Sequence, residues 1–404
     1  MLSIRLSRAV RQIERRRLFV LSSPATHLPS CNVVSDRSVR RLSLDWYLRD
    51  SEKKRNMASS GEKKKIALIG SGNWGSAIAK IVGKNVMEFD RYDKEVLMWV
   101  YEEMIDGKKL TEIINEKHEN VKYLPGTVLP NNIIACPDLV VTTKTADVLI
   151  IVLPHQFIPK VCGQMKSHIK PGAIAISLIK GLDASTGGIQ LVSHQIETLL
   201  NVEVSVLMGA NLAEDVAQDQ FCEATVGTLN AASGQLYCEI FNRPSFQISV
   251  VNDIASVELC GALKNIVALA AGISDGLGYG ASTKAAILRI GLVEMHKFAS
   301  SYYHGVELST FMESCGVADL IATCYGGRNR RVAEAFVKTG KSIDVLEAEM
   351  LNGQKLQGPH TAHELSTILK KEGKESEYPL FTAVHKICFE GVPPQDLLKL
   401  LAKL

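Results

Sequence analysis

Apolar residues along this chain follow one pattern up to about residue 252 and another beyond it. From Lys65 onward, short and nearly continuous apolar runs recur at Ile66 to Gly70, Val96 to Tyr101, Val148 to Leu153, Ala173 to Leu178 and Val204 to Met208. Turn residues and helix-compatible stretches separate them. Such runs predict strands of a parallel sheet covered on both faces, in a doubly wound α/β arrangement. Residues 104–145 are mixed, giving a polar helical piece from Lys108 to His118 and a Pro-bounded loop from Leu124 to Pro130. Phe246 to Val251 alternates like a strand. After Asp253 the signal is almost wholly helical, which predicts an α/β domain over 61–252 and a helical domain over 253–404.

One stretch of the second half stands apart. From Val257 to Ala271 apolar or small residues occupy every side of a predicted helix, which marks it as buried. Lys264 and Asn265 nevertheless sit near its middle. Desolvation lowers a lysine's pKa and suits it to move a proton near neutral pH. The other readings are a lysine reaching a local solvent gap or pairing with Glu258. The glycines that follow, Gly272, Gly276, Gly278 and Gly280, predict a loop whose backbone lies close to a ligand. With Glu258, Lys264 and Asn265 in this helix, no apolar run reaches the length of a membrane span.

Composition narrows the class. The hydrophobic share of 46% and charged share of 22% are those of an ordinary globular protein. The net charge of +3 divides unevenly, because residues 1–55 hold 11 Arg and 2 Lys against 5 acidic residues. The remainder is mildly acidic and offers no nucleic-acid surface. Nine cysteines without a Cys-x-x-Cys pair argue against a disulfide framework and against a zinc site. Residues 1–60 read as a basic extension outside the fold, either a mitochondrial transit peptide or a basic tail ahead of a second start at Met57. The last three residues, Ala402-Lys403-Leu404, read either as a variant peroxisomal signal or as the end of an amphipathic helix.

The chemistry sits at strand ends and helix starts. Gly70-Ser71-Gly72-Asn73-Trp74-Gly75 follows the first strand and opens a helix, the context in which G-x-G-x-x-G denotes dinucleotide binding in a Rossmann-type domain. Gly70 makes the tight turn, Gly72 admits a pyrophosphate, and Gly75 lets helix and strand pack closely. Tyr101 can offer its ring to adenine. Glu102 or Glu103 after it suits a ribose hydroxyl or is a solvated strand end. Later strands end in Pro154-His155-Gln156-Phe157, in Lys180, and in Gly209-Ala210-Asn211-Leu212-Ala213. Lys180 reads as a cation for a substrate phosphate or as an exposed turn lysine. In the helical half, Asp319 and Thr323 share a helix face, and Gly326-Gly327-Arg328-Asn329 restarts a helix with a phosphate-gripping arginine. Arg330 and Arg331 read as solvated. Asn352 to Gly358 reads as a polar loop carrying mobile binding residues or as a plain connector between helices.

These blocks carry a resemblance. GSGNWGSAIAK, KHENVKYLPG, PHQF, SLIKG, LMGAN, CGALKN, ESCGVADL, TCYGGRNR and NGQKLQGP resemble, in order, the signature blocks of eukaryotic soluble NAD-dependent glycerol-3-phosphate dehydrogenases. The resemblance implies a homodimeric, cytosolic enzyme that interconverts sn-glycerol 3-phosphate and dihydroxyacetone phosphate with NAD. It implies Lys264 as the proton-transfer residue with Asn265, Asp319 and Thr323 around it, and Lys180, Arg328 and Asn329 on the substrate phosphate. For the cofactor it implies Gly70 to Gly75, Tyr101, Phe157, Ala213, Arg328, Lys355 and Gln357. The chain departs from the family at Ser282, where Asn is common. Two rivals are a related dehydrogenase for a hydroxyacyl or sugar-acid substrate and a cofactor-sensing protein without turnover.

Overall fold

A computed structural model describes residues 62–183, 190–351 and 354–402. The basic extension over 1–60 and the terminal pair Lys403-Leu404, with the targeting readings they carry, lie outside the described residues, as do Asn352 and Gly353 of the polar connector.

Eight strands form one sheet: β1 (Ile66–Ile69), β2 (Val96–Trp99), β3 (Ile133–Cys136), β4 (Val148–Ile151), β5 (Ile174–Ser177), β6 (Glu203–Met208), β7 (Cys222–Gly227) and β8 (Phe246–Val251). They lie in the order β8-β7-β6-β5-β4-β1-β2-β3. Every neighbouring pair is parallel except β6 with β7, where Val206 faces Gly227. The order reverses between β1 and β4, and ligands of such sheets bind beyond the strand ends at that switch. All four residues of β1 and of β4 are buried, as their unbroken apolar runs predict.

Two strands carry no clear signal in the sequence. β3 is an edge strand of four residues, buried only at alternate positions. In β7, Glu223 and Thr225 interrupt the apolar run. Both are held by their neighbours more than by their own composition.

Helices cover the sheet and then make up the rest of the described chain after Val251. α1 (Asn73–Val86) follows the glycine turn, and α2 (Val192–Leu200) precedes β6. α3 (Ile254–Gly276) is the organising helix of the second half. Asp253 caps it, its carboxylate accepting the Ser256 amide at 2.9 Å. Every residue from Ser256 to Ser274 is buried. At 23 residues it is longer than the sequence suggested, and long and apolar enough to cross a membrane by length and composition alone. It is instead the core helix, packed against β6 and against α4 (Ala281–Tyr302), α5 (Asp319–Gly326), α6 (Arg328–Thr339) and α8 (Gln357–Glu372), which follows α7 (Ile343–Leu351).

Close packing explains two glycines expected in a ligand loop. Gly272 and Gly276 lie within α3, and a Cβ at Gly272 would stand 2.2 Å from the Arg330 carbonyl oxygen. They admit α6, whose first turn brings Asn329 beside Asn265 near the middle of α3.

Candidate functional site

Lys264 and Asn265 stand on successive positions of α3 and reach two different neighbours. The Lys264 ammonium pairs with Asp319 Oδ1 at the start of α5, with side-chain exposures of only 5% and 4%. Asp319 Oδ2 also receives Lys180 Nζ at 3.2 Å, and Thr323 donates to Oδ1 at 3.4 Å. Lys180 further donates to the Gly209 carbonyl oxygen at 3.3 Å. Two lysines thus share one carboxylate. Lys180, at 28% side-chain exposure, is the member open to solvent.

Burial dominates the electrostatics of Lys264. Desolvation lowers its pKa to about 7 against the pull of Asp319, and the like charge of Lys180 pushes the same way as burial. Glu258 is not its partner. That carboxylate accepts backbone amides at the start of α2 instead.

Asn265 continues the site toward α6. Asn329 Nδ2 donates to Asn265 Oδ1 at 2.9 Å, and Asn329 Oδ1 accepts the Gly358 amide at 3.0 Å. Arg328 Nη1 donates to Gln354 Oε1 at 2.8 Å. Arg330, expected in solvent, instead pairs with Asp275 at 2.6 Å and with Glu334 at 2.8 Å.

Among the described residues no side-chain hydrogen bond or ion pair joins the remaining expected residues to this cluster, although Gln357 precedes Gly358, whose amide Asn329 accepts. Lys355 pairs with Asp344 and Glu347, each at 2.7 Å. Gln357 opens α8, and Ala213 opens the short helix Ala213–Ala217. Tyr101 and Phe157 are surface residues, 72% and 49% exposed. Among the described residues no hydrogen bond or ion pair links Lys355 to the Lys264 group. Glu102 is not a bare strand end: it accepts the Thr111 hydroxyl at 2.6 Å, while Glu103 accepts the Tyr123 hydroxyl at 2.6 Å and pairs with Lys122.

The glycine turn fits a dinucleotide. Gly70 has φ +119°, and a Cβ there would overlap the Val152 carbonyl oxygen; Gly75 is equally confined by the Gly70 carbonyl. Gly72 is different. A Cβ on it would meet no protein atom within 4 Å, so packing does not require glycine, whereas close approach of a pyrophosphate would. No side chain caps α1 and its first turn holds no acid, which leaves its dipole for an anion. Asn120 locks the turn, donating to the Ser71 carbonyl at 2.7 Å and the Ser76 hydroxyl at 2.9 Å. Asn211, beyond β6, keeps a buried amide Nδ2 with no acceptor among the described residues. Asn120 carries no role in the sequence reading, and Asn211 only the general expectation of the strand-end tail Gly209 to Ala213; they lie in the KHENVKYLPG and LMGAN blocks.

A glycine turn at the switch point, and a buried lysine–carboxylate pair in the helical half, define a dinucleotide-dependent dehydrogenase. Comparison with known proteins specifies which. The family model for the NAD-dependent glycerol-3-phosphate dehydrogenase N-terminus matches residues 65–233, and that for the C-terminus matches 253–399. The chain belongs to the NAD-dependent glycerol-3-phosphate dehydrogenase family. It is 58% identical over 336 residues to the cytoplasmic NAD(+) glycerol-3-phosphate dehydrogenase of Rattus norvegicus, covering 83% of this chain and 96% of that one. To the Drosophila kanekoi protein of the same name it is 59% identical over 338 residues, covering 83% and 94%. Its fold is similar to the glycerol-3-phosphate dehydrogenase structure from Plasmodium falciparum, with a TM-score of 0.81 at 40% identity, covering 87% and 97%.

Proposed function

We propose that the chain is an oxidoreductase that interconverts sn-glycerol 3-phosphate and dihydroxyacetone phosphate, with NAD as the hydride acceptor or donor. The observation that carries the catalytic assignment is the buried Lys264–Asp319 pair, flanked by Lys180 on one side and the Asn265–Asn329 bond on the other. NAD supplies the hydride chemistry at the carbinol carbon; the protein's own groups bind, orient and move the proton.

In alcohol oxidation, neutral Lys264 takes the hydroxyl proton as general base. In ketone reduction, its ammonium polarises the carbonyl and then gives that proton up. A pKa lowered to about 7 lets one side chain serve both directions. Asp319 positions the ammonium, and Thr323 buttresses the carboxylate. Lys180, Arg328 and Asn329 hold the phosphate, whose binding energy orients the reacting carbon. Gly70 to Gly75 cradle the cofactor pyrophosphate, and Ser71, Asn73 and Trp74 line that turn. Tyr101, Phe157, Ala213, Arg328, Lys355 and Gln357 complete the cofactor site. Lys355 must leave Asp344 and Glu347, or bring them with it, to take part.

We further propose a cytoplasmic location, in line with the names of its relatives, together with a homodimer, as the family resemblance implies, and a division near residue 252 between cofactor and substrate domains. Loss of NADH absorbance with dihydroxyacetone phosphate, run beside NADPH, tests the activity. Turnover with NADH alone is expected. NADH binding without turnover would favour the sensor reading.

A further inference from the structure

Glu258 is buried completely yet takes no part in the chemistry above. It lies on α3, between the Asp253 cap and Lys264. Its carboxylate meets the start of α2: Oε1 accepts the Val192 amide at 2.6 Å and the Ser193 amide at 3.2 Å, and Oε2 accepts the Ser193 hydroxyl. Leu191, the residue at the usual capping position, supplies no side-chain acceptor. A helix start whose free amides are buried needs acceptors, and here they come from another helix.

The connection leads on to Lys180. Leu191 pairs with Leu182 in a short antiparallel ladder, and both leucines pack in the core built around α3. Lys180 is two residues before Leu182. Its Cγ lies 3.5 Å from where a Cβ on Gly261 would stand, one turn along α3 from Glu258 and one turn before Lys264. Glu258 therefore fixes to α3 the segment from which Lys180 reaches Asp319.

We propose that Glu258 is a positioning residue for the substrate phosphate, acting by holding the Leu182–Leu191 ladder against α3 so that Lys180 points into the site. This rests on the reading of Lys180 as a phosphate ligand. Local capping alone could be met by a serine or aspartate at position 191; a carboxylate sent from α3 adds a tie between α2 and the catalytic helix.

The test is a double-mutant cycle in the full-length enzyme with Glu258→Gln and Lys180→Ala. Gln keeps the volume but turns one of the two acceptor oxygens into a donor, so that the Val192 and Ser193 amides are left to share a single acceptor. Glu258→Gln is expected to raise the KM for dihydroxyacetone phosphate about tenfold, since small misplacement of a binding group is costly. NADH affinity should stay unchanged. In the Lys180→Ala background the same change should add less than about twofold, because both act through one group. Where Glu258→Gln fails to fold, Ser193→Ala removes one donor and should show a smaller KM increase with the same non-additivity. A lowered melting temperature at unchanged KM, or an effect that multiplies in full with Lys180→Ala, would overturn the proposal. A normal KM in Lys180→Ala alone would instead overturn the phosphate role of Lys180, and this inference with it.

Discussion

Lys264 and Asp319, 55 positions apart in the chain, form an ion pair almost closed to water. Breaking such a pair from one side leaves an uncompensated charge. Here Lys180 remains beside Asp319 at 3.2 Å, so truncating Lys264 does not leave the carboxylate bare. Lys264→Ala should therefore fold, bind NADH as the parent does, and lose about 10²–10⁴ in kcat, the usual contribution of a general acid–base group. Stopped-flow turnover and NADH fluorescence titration measure the two quantities separately.

Asn329 joins three elements through one amide. Replacing it by Ala leaves Asn265 Oδ1 without its donor and the Gly358 amide without its acceptor. Buried unpaired groups of this kind cost about 1–3 kcal/mol. Urea unfolding of Asn329→Ala should show a loss of that size, together with a raised KM for dihydroxyacetone phosphate.

The cofactor turn offers a cleaner separation of binding from stability. Gly72 has φ −63°, which any residue adopts, and open space where a Cβ would go. Gly72→Val should leave thermal stability within about 0.5 kcal/mol, as surface substitutions do. It should weaken NADH binding by about tenfold or more, because the methyl groups occupy the path of the pyrophosphate. Unchanged NADH affinity would remove the turn from the cofactor site.

Much of this was legible in the chain because the signals are local. The Gly70–Gly75 turn shows itself by the strand before it and the helix after it. Lys264 shows itself because α3 has no polar face to hide a lysine on. Asp319 and Thr323 advertise a shared face by their spacing, and Oγ1 of Thr323 does meet Asp319. The partners across the fold were not legible. Glu258 is near Lys264 in sequence, but six residues along a helix is neither three nor four, and the two side chains diverge. Gly272 suggested a ligand loop for the same reason: only the placement of α6 shows that it admits a helix. Arg330 beside Arg331 looked solvated, while the fold turns it to Asp275. The edge strand Ile133–Cys136 borrowed its stability from β2 and left little trace in composition.

The central claim is that buried Lys264 exchanges the proton, and its lowered pKa makes the claim measurable. Burial shifts the ammonium from 10.5 down to about 7. Ketone reduction needs the charged form, so its kcat/KM should fall as pH rises through about 7. Alcohol oxidation needs the neutral form, so its kcat/KM should rise over the same interval. The decisive measurement is the pH dependence of kcat/KM in both directions, at saturating cofactor and with each rate corrected for the dianionic fraction of the substrate phosphate, whose second pKa is about 6. Opposite slopes on either side of a common midpoint near neutrality are predicted. Profiles that stay flat in both directions up to the ordinary lysine range would contradict the assignment.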